Sequence, residues 1–245
     1  MNRRIAELPW PEIRAHVQAG RRTIVVAFGA TEQHGPHLPL ATDTLLGDEL
    51  ASRVAERLDA LIAPTVTIGC SSHHLAFAGT LSLTDETFAA VVRDLVDSFA
   101  RSGFERAVLL PSHGGNFAPL AAAVETLPEH AAMRVDALTD LGALVMLPLH
   151  GAEEEDIPLG EGGLHAGEWE TSLLLASHPR AVHMDKAEPG FVGNPEEALS
   201  AVFDSGVDAI SANGVIGDPR RSHPQRGERY WTFVTDAVLE RIGNG

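Results

Sequence analysis

The order of the apolar runs constrains this chain most. Ile24 to Phe28 (IVVAF) is a short β-branched run that stops at Gly29, so it reads as a buried strand. Leu61 to Ile68 and Ala107 to Leu110 repeat the pattern, and Arg134 to Leu138 is a fourth candidate. Helical spacing fills the gaps. Leu46, Leu50, Val54 and Leu58 stand four apart, while Phe88, Val91, Val92, Leu95, Val96 and Phe99 follow an N-cap at Thr84 and stop before Gly103. An alanine-rich helix is expected from about Phe117 to Leu127, and another over Ala166 to Ala176. A last one, Arg226 to Ile242, packs through Trp231, Val234, Val238 and Ile242. Strand, loop and helix in alternation point to an α/β fold, a parallel sheet covered by helices on both faces. The 245 residues suffice for one large domain with a full core, and two small domains are not required.

Composition removes several classes of function. With a formal net charge of −16 and Lys186 as the only lysine, phosphate backbones repel the chain, so nucleic acid is not an expected partner. The one cysteine, Cys70, excludes an internal disulfide framework and a Cys-rich zinc module. Met1 to Leu8 has no apolar signal core, and no run approaches the roughly 20 apolar residues of a membrane span. A cytoplasmic protein without a membrane partner is the expectation. No G-x-S-x-G elbow, G-x-G-x-x-G fingerprint or Walker pattern occurs, which disfavours a serine hydrolase, a dinucleotide enzyme and a P-loop enzyme.

The polar residues gather where predicted strands end, the usual place for sites in such sheets. Gly29 to Asp43 reads GATEQHGPHLPLATD. Glu32 and His34 are one residue apart, so in an extended segment both turn to the same side, and Asp43 returns through a loop stiffened by Pro36 and Pro39. A hydrolytic metal needs a few anionic or imidazole ligands and an open position for water; E-x-H alone is read equally well as a solvated loop. In PSHGGN, His113 lies just past a strand, and Gly114 and Gly115 let the backbone turn sharply and approach a ligand. A single histidine there is as readily a capping or core residue. In HAGEWE, His165 and Glu170 are five apart at a helix start, so the carboxylate can bond the imidazole or reach a metal. Glu168 is expected to face solvent, and Trp169 to be core or pocket wall. Leu149 to Leu164, acidic and glycine-rich, is either a solvated surface loop or a flap over the site.

Taken together, TEQHGPHLPLATD, SSHHLAFAGTLSL, SHGGN, HAGEWETS and GVIGDP, in that order, closely resemble the creatininase (creatinine amidohydrolase) family. The resemblance runs from about residue 24 to 240. It implies a three-layer α/β/α sandwich with a mostly parallel central sheet, occupying 1–245 as one domain, and a homo-oligomer, often a hexamer. It implies a divalent-metal site for cleaving amide C–N bonds, with Glu32, His34, Asp43 and His113 as ligands to zinc, manganese or iron, and Asp43 bridging if two ions bind. His165 would be the catalytic histidine with Glu170 beside it, and His74, Trp169, Gly114 and Gly115 would meet the substrate. Two departures stand out. Gly115 occupies the place of a glutamate ligand in creatininase proper, so a second ion needs another ligand, such as Glu170, or is absent. Glu161 replaces the tryptophan that closes over creatinine, which disfavours creatinine itself; in addition, His73 replaces a glutamate common among relatives. The expected reaction is hydrolysis of a small-molecule amide, cyclic amide or formamide by water activated at the metal. The oxyanion would be held by the metal and a backbone N–H near Gly114–Gly115, and His165 would protonate the leaving nitrogen. Relatives that trim a peptide during redox-cofactor maturation supply the alternative of a peptidase; a non-catalytic small-molecule binder is the other.

Overall fold

In the computed structural model of the chain, residues 2–127, 133–141 and 156–243 are described. Two strands form the centre: β1 (Thr23–Phe28) and β3 (Arg106–Pro111) run parallel in register from Thr23 opposite Arg106 to Phe28 opposite Pro111. The short β2 (Leu61–Ile62) lies outside β1 and β4 (Arg134–Ala137) outside β3, giving the order β2-β1-β3-β4 with every pair parallel. Side chains alternate across a strand. Val25, Ala27, Val108 and Leu110 therefore enter one core, and Ile24, Val26, Phe28, Ala107 and Leu109 the other. Burial on both faces is why β1 reads as an unbroken apolar run.

Among the described residues the α-helices are α1 (Trp10–Gln18), α2 (Thr42–Arg57), α3 (Asp85–Arg101), α4 (Phe117–Glu125), α5 (Leu159–Gly162), α6 (Glu168–Ser177), α7 (Pro195–Ser205) and α8 (Pro224–Ile242). Ile13 and Val17 of α1, Phe88, Val92, Val96 and Phe99 of α3, and Leu120 of α4 cover the Phe28 face. Leu46, Leu50 and Val54 of α2, Leu173 and Leu174 of α6, and Trp231, Val238 and Ile242 of α8 cover the other. The result is the three-layer α/β/α sandwich. Local signals act as read: Thr84 Oγ1 accepts from Thr87 N at 3.2 Å to cap α3, and Gly103 takes the left-handed φ of +89° just after it.

Two expectations need correction. The run Leu61 to Ile68 is not one paired strand: the ladder stops at Ile62 because Pro64 has no N–H to donate. Ala63 N and Val66 N still reach the carbonyls of Val25 and Ala27 at 2.8 and 2.9 Å, so the segment stays beside β1 and delivers the His73–His74 turn to its carboxyl end. Of the acidic stretch 149–164, residues 149–155 lie outside the described residues, and with them the flap reading. The remainder is not a solvated loop. Ile157 is buried in the α2/α6/α8 core, and Leu164 N and His165 N both donate to Ile216 O, at 2.8 and 3.2 Å.

The chain leaves β1 for α2 on one face and β3 for α4 on the other. Adjacent strands whose connections part to opposite faces open a crevice at their carboxyl ends, the recurrent ligand position of open parallel sheets.

Candidate metal centre

Three loops meet at that crevice, and one buried side chain ties them. Asn116 Nδ2 donates to the carbonyls of Phe28 and Gly29 at 2.9 and 3.0 Å, while its Oδ1 accepts from Cys70 N at 2.9 Å. The proline-bearing loop after β1 closes on itself through Glu32 N to Leu40 O, 2.9 Å, which brings Asp43, in the first turn of α2, back to Glu32. His165 arrives from a turn in which Ala166 holds a left-handed φ of +52°, an uncommon conformation for a residue with a Cβ. Glu170 Oε2 accepts from Ala166 N at 2.5 Å and clamps that turn.

These segments pack six buried side chains into one cluster. His34 Nε2 lies 3.4 Å from Asp43 Oδ1 and 3.7 Å from Glu170 Oε1. His113 Nδ1 lies 3.3 Å from Glu32 Oε1 and 3.4 Å from Asp43 Oδ2, and His165 Nδ1 3.9 Å from Glu32 Oε1. Three overlapping triads result: Glu32–Asp43–His113, His34–Asp43–Glu170 and Glu32–His34–His165. Asp43 is common to the first two.

Which ring nitrogens carry hydrogen follows from the main chain. His34 Nδ1 contacts Glu32 O at 3.1 Å, His113 Nε2 contacts Cys70 O at 3.1 Å, and His165 Nε2 contacts Gln33 O at 2.7 Å. A carbonyl oxygen can only accept, so each of these nitrogens is the N–H. The other nitrogen of each neutral ring is then a bare lone pair facing carboxylates, so acceptors face acceptors. Accordingly Glu32 Oε1 and Oε2, His34 Nε2 and Asp43 Oδ2 are buried without a hydrogen-bond partner. Buried acceptors in this arrangement call for a cation between them, and mixed carboxylate and imidazole donors with carbonyl-fixed tautomers suit a divalent metal.

Without a metal, protons answer the same demand. Burial alone would depress His34, but Asp43 and Glu170 overcome it and hold the imidazole well above its ordinary range. For His113 the burial penalty is likewise outweighed, by Glu32 and Asp43, and its pKa is pushed up to about 9. Burial would raise Glu32, yet His113, His74 and His165 pull it well down. Asp43 rises to about 6, chiefly through burial. His165 falls to about 4, through burial and then the charge of His34, against the opposing pull of Glu170 and Glu32. Its resting ring is therefore neutral. Glu170 pulls His165 toward the imidazolium but is outweighed, and its carboxylate bonds Ala166 N and faces His34.

A cavity opens onto the cluster. Asp43, His113, His165 and Glu170 form its polar end, and Leu46, Leu50, Phe117, Trp169, Leu173 and Trp231 give it apolar walls. Trp169 is both wall and core, and its Nε1 donates to Gly163 O at 2.9 Å. Gly114 lines the cavity, whereas Gly115 lies beneath it, where a Cβ would collide with the Cys70 carbonyl and the His113 and His73 rings. A glutamate at 115 has no room, and the carboxylates beside His34 are Asp43 and Glu170. His74 sits behind Glu32, its Nε2 3.3 Å from Glu32 Oε1. Glu168 is not solvent-facing: it is fully buried and accepts from Arg226 Nη1 at 2.6 Å, Ser172 Oγ at 2.7 Å and Tyr230 OH at 2.9 Å. The sequence reading passed over Asn116, although SHGGN contains it, and Gln33, which lies inside E-x-H.

Residues 6–242 match the family model described as "Creatininase: Creatinine amidohydrolase". The chain is 33% identical over 234 residues to the "Mycofactocin precursor peptide peptidase" of Mycobacterium ulcerans (strain Agy99), covering 90% of this chain and 84% of that protein. Among solved structures, "Creatininase Mn" aligns with a TM-score of 0.82 at 27% identity over 99% of both chains. A mutant creatininase described as "Zn-Zn type" aligns with a TM-score of 0.81 at 27% identity over 99% of both. The family model spans nearly the whole chain, the fold agrees with these structures, and the buried acceptors suit a divalent metal: the chain belongs to the creatininase family.

Proposed function

We propose that the chain hydrolyses an amide C–N bond with a divalent metal, zinc, manganese or iron, held by Glu32, His34, Asp43 and His113. The observation that carries this reading is the set of buried, partnerless acceptors at the polar end of an apolar cavity. If a second ion binds, His34, Asp43 and Glu170 are its seat. When bound, the metal supplies a Lewis acid that acidifies water and polarises a carbonyl.

The chain's own residues do the rest. His165 keeps its Nε2 hydrogen on Gln33 O, so Nδ1 is the nitrogen free to exchange a proton. Neutral at rest, it takes a proton from the attacking water at Nδ1 and returns it to the leaving nitrogen, which cannot depart as an amide anion. Gly114, at the cavity wall beside His113, offers its N–H to the developing oxyanion. Trp169 and Leu173 shelter the substituent of the amide from water. In His165→Ala, turnover should fall about 10²–10⁴-fold with metal content unchanged by elemental analysis; loss of metal would make His165 a ligand instead.

Two observations favour a peptide as the amide: the relative named as a peptide peptidase, and walls suited to apolar side chains. Assaying short peptides beside lactams and formamides separates the readings. Cleavage confined to peptides selects the peptidase, and bound metal without hydrolysis of any amide selects a binding protein.

A further inference from the structure

Gln33, between two residues of the proposed metal seat, takes no part in the chemistry above, yet its buried side chain has every polar atom engaged. Oε1 accepts from Gly35 N at 3.0 Å. Since a main-chain N–H can only donate, this contact decides which end of the amide is oxygen. Nε2 therefore points the other way, 3.2 Å from Gly214 O and 3.0 Å from both His74 Nδ1 and His165 Nε2; because His165 Nε2 carries the hydrogen bonded to Gln33 O and cannot accept, the two amide hydrogens go to Gly214 O and His74 Nδ1. The recess is shaped for it: Gly214 has φ +81°, and a Cβ there would run into the Gln33 amide. An amide nitrogen donates, so His74 Nδ1 accepts and the hydrogen of its neutral ring is on Nε2, 3.3 Å from Glu32 Oε1. His74 is thus the neighbour of Glu32 that turns an N–H toward it as a neutral ring, where the neutral forms of His113 and His165 turn bare nitrogens. The main-chain oxygen of Gln33 is what holds the His165 hydrogen, 2.7 Å away.

We propose that Gln33 is a positioning residue that divides the work of two adjacent imidazoles. Its side-chain amide turns the N–H edge of His74 toward Glu32 Oε1, an electrostatic contact that steadies the carboxylate, and its main-chain carbonyl keeps the His165 Nδ1 lone pair turned to the carboxylates. One residue separates a histidine that steadies a carboxylate from one that serves the reaction, although their rings lie only 4.6 Å apart centre to centre. The proposal rests on the metal seat described above.

Gln33→Glu tests it, because the shape is kept while the donating nitrogen becomes an oxygen that cannot donate. His74 must then carry its hydrogen on Nδ1 and present a bare Nε2 to Glu32. Imidazole ¹⁵N spectra should show His74 as the Nε2–H form in the wild type and the Nδ1–H form in the variant, with His165 unchanged. Zinc affinity, measured against a competing chelator, should fall about 10–100-fold, the usual cost of losing a partner that orients a ligand. At saturating zinc, kcat should fall with KM little changed. Gln33→Met, which removes both polar ends, should lose zinc affinity similarly while His74 no longer shows a single form. A wild-type His74 in the Nδ1–H form overturns the proposal, as does a Gln33→Glu protein with unaltered His74 spectrum and zinc affinity. The spectra can be recorded on metal-free protein, so a wild type that binds no zinc refutes the metal seat without deciding the role of Gln33.

Discussion

Glu32 and Glu168 are both buried carboxylates in the same protein, and they are opposites. Glu168, at the start of α6, is fully enclosed and receives hydrogens from an arginine, a tyrosine and a serine. Glu32, 1% exposed, has neither oxygen in a hydrogen bond, although three imidazoles stand within 3.9 Å of Oε1. Leaving a buried charge unsatisfied is costly, so a fold tolerates it only where something else completes the site. Glu168 is complete with protein alone and locks α6 to α8; Glu32 waits for a cation. Burial and charge do not distinguish a structural carboxylate from a binding one. The inventory of donors around it does.

The strongest way to break this contrast is Glu32→Gln. Loss of an anionic ligand should abolish metal retention and lower turnover by more than about 10³-fold, on the scale set by removing a Lewis acid worth several kcal/mol. A metal-replete, active Glu32→Gln protein refutes the seat.

Glu168→Gln should do the reverse. Removing one member of a buried ion pair costs about 3–5 kcal/mol. At 2–4 °C per kcal/mol for a chain of this size, thermal unfolding should show a fall of roughly 6–20 °C. Metal per chain should stay at the wild-type value; a matching loss of metal would show that α6 and the seat are one unit.

The pH dependence sharpens the comparison on the Glu32 side. In the metal-free protein His113 stays protonated up to a pKa of about 9, and metal must expel that proton to bind. Because His34 is also held protonated, apparent affinity should fall by at least about tenfold for each pH unit below 9. It should fall more steeply below about 6, where Asp43 also gains a proton. The linkage to stability runs the other way. A pKa raised from 6.5 to about 9 stabilises the metal-free fold fully below pH 6.5, and that gain is lost as pH rises through 9. Titration calorimetry at several pH values and melting of chelated protein read the two effects separately; a flat affinity from pH 6 to 9 excludes proton competition.

Much of this could be read before any coordinates. β1 betrayed itself by apolar residues on both faces, and the spacing of Glu32 and His34 placed them on one side of an extended loop. The family motifs then joined them to Asp43, His113 and His165. What stayed hidden depends on partners far along the chain. Glu168 and Glu170 stand two apart in one helical turn, and only Arg226 and Tyr230, on another helix, decide that the first faces α8 while the second faces His34. Pro64 was visible, but not that the chain would keep its hydrogen bonds to β1 around it. The tautomers of the histidines depend on which carbonyls come within reach, and no local pattern encodes that.

Tyr230→Phe makes the smallest cut, and it tests whether the Glu168 side is complete in the sense claimed. The hydroxyl bonds Glu168 Oε2 at 2.9 Å in a buried setting, while Ser172 and Arg226 hold Oε1. Deleting it leaves one carboxylate oxygen short of a donor but the ion pair intact. The cost should be about 1–3 kcal/mol, near the lower figure if water or a neighbour relaxes to replace the hydroxyl. Urea unfolding should show a lower midpoint with an unchanged slope, since the surface exposed on unfolding is the same. Metal content and kcat should not move. If kcat falls while the metal stays, the Glu168 network reaches the reacting groups through α6, and the line between a structural and a functional carboxylate is weaker than the donor inventory implies.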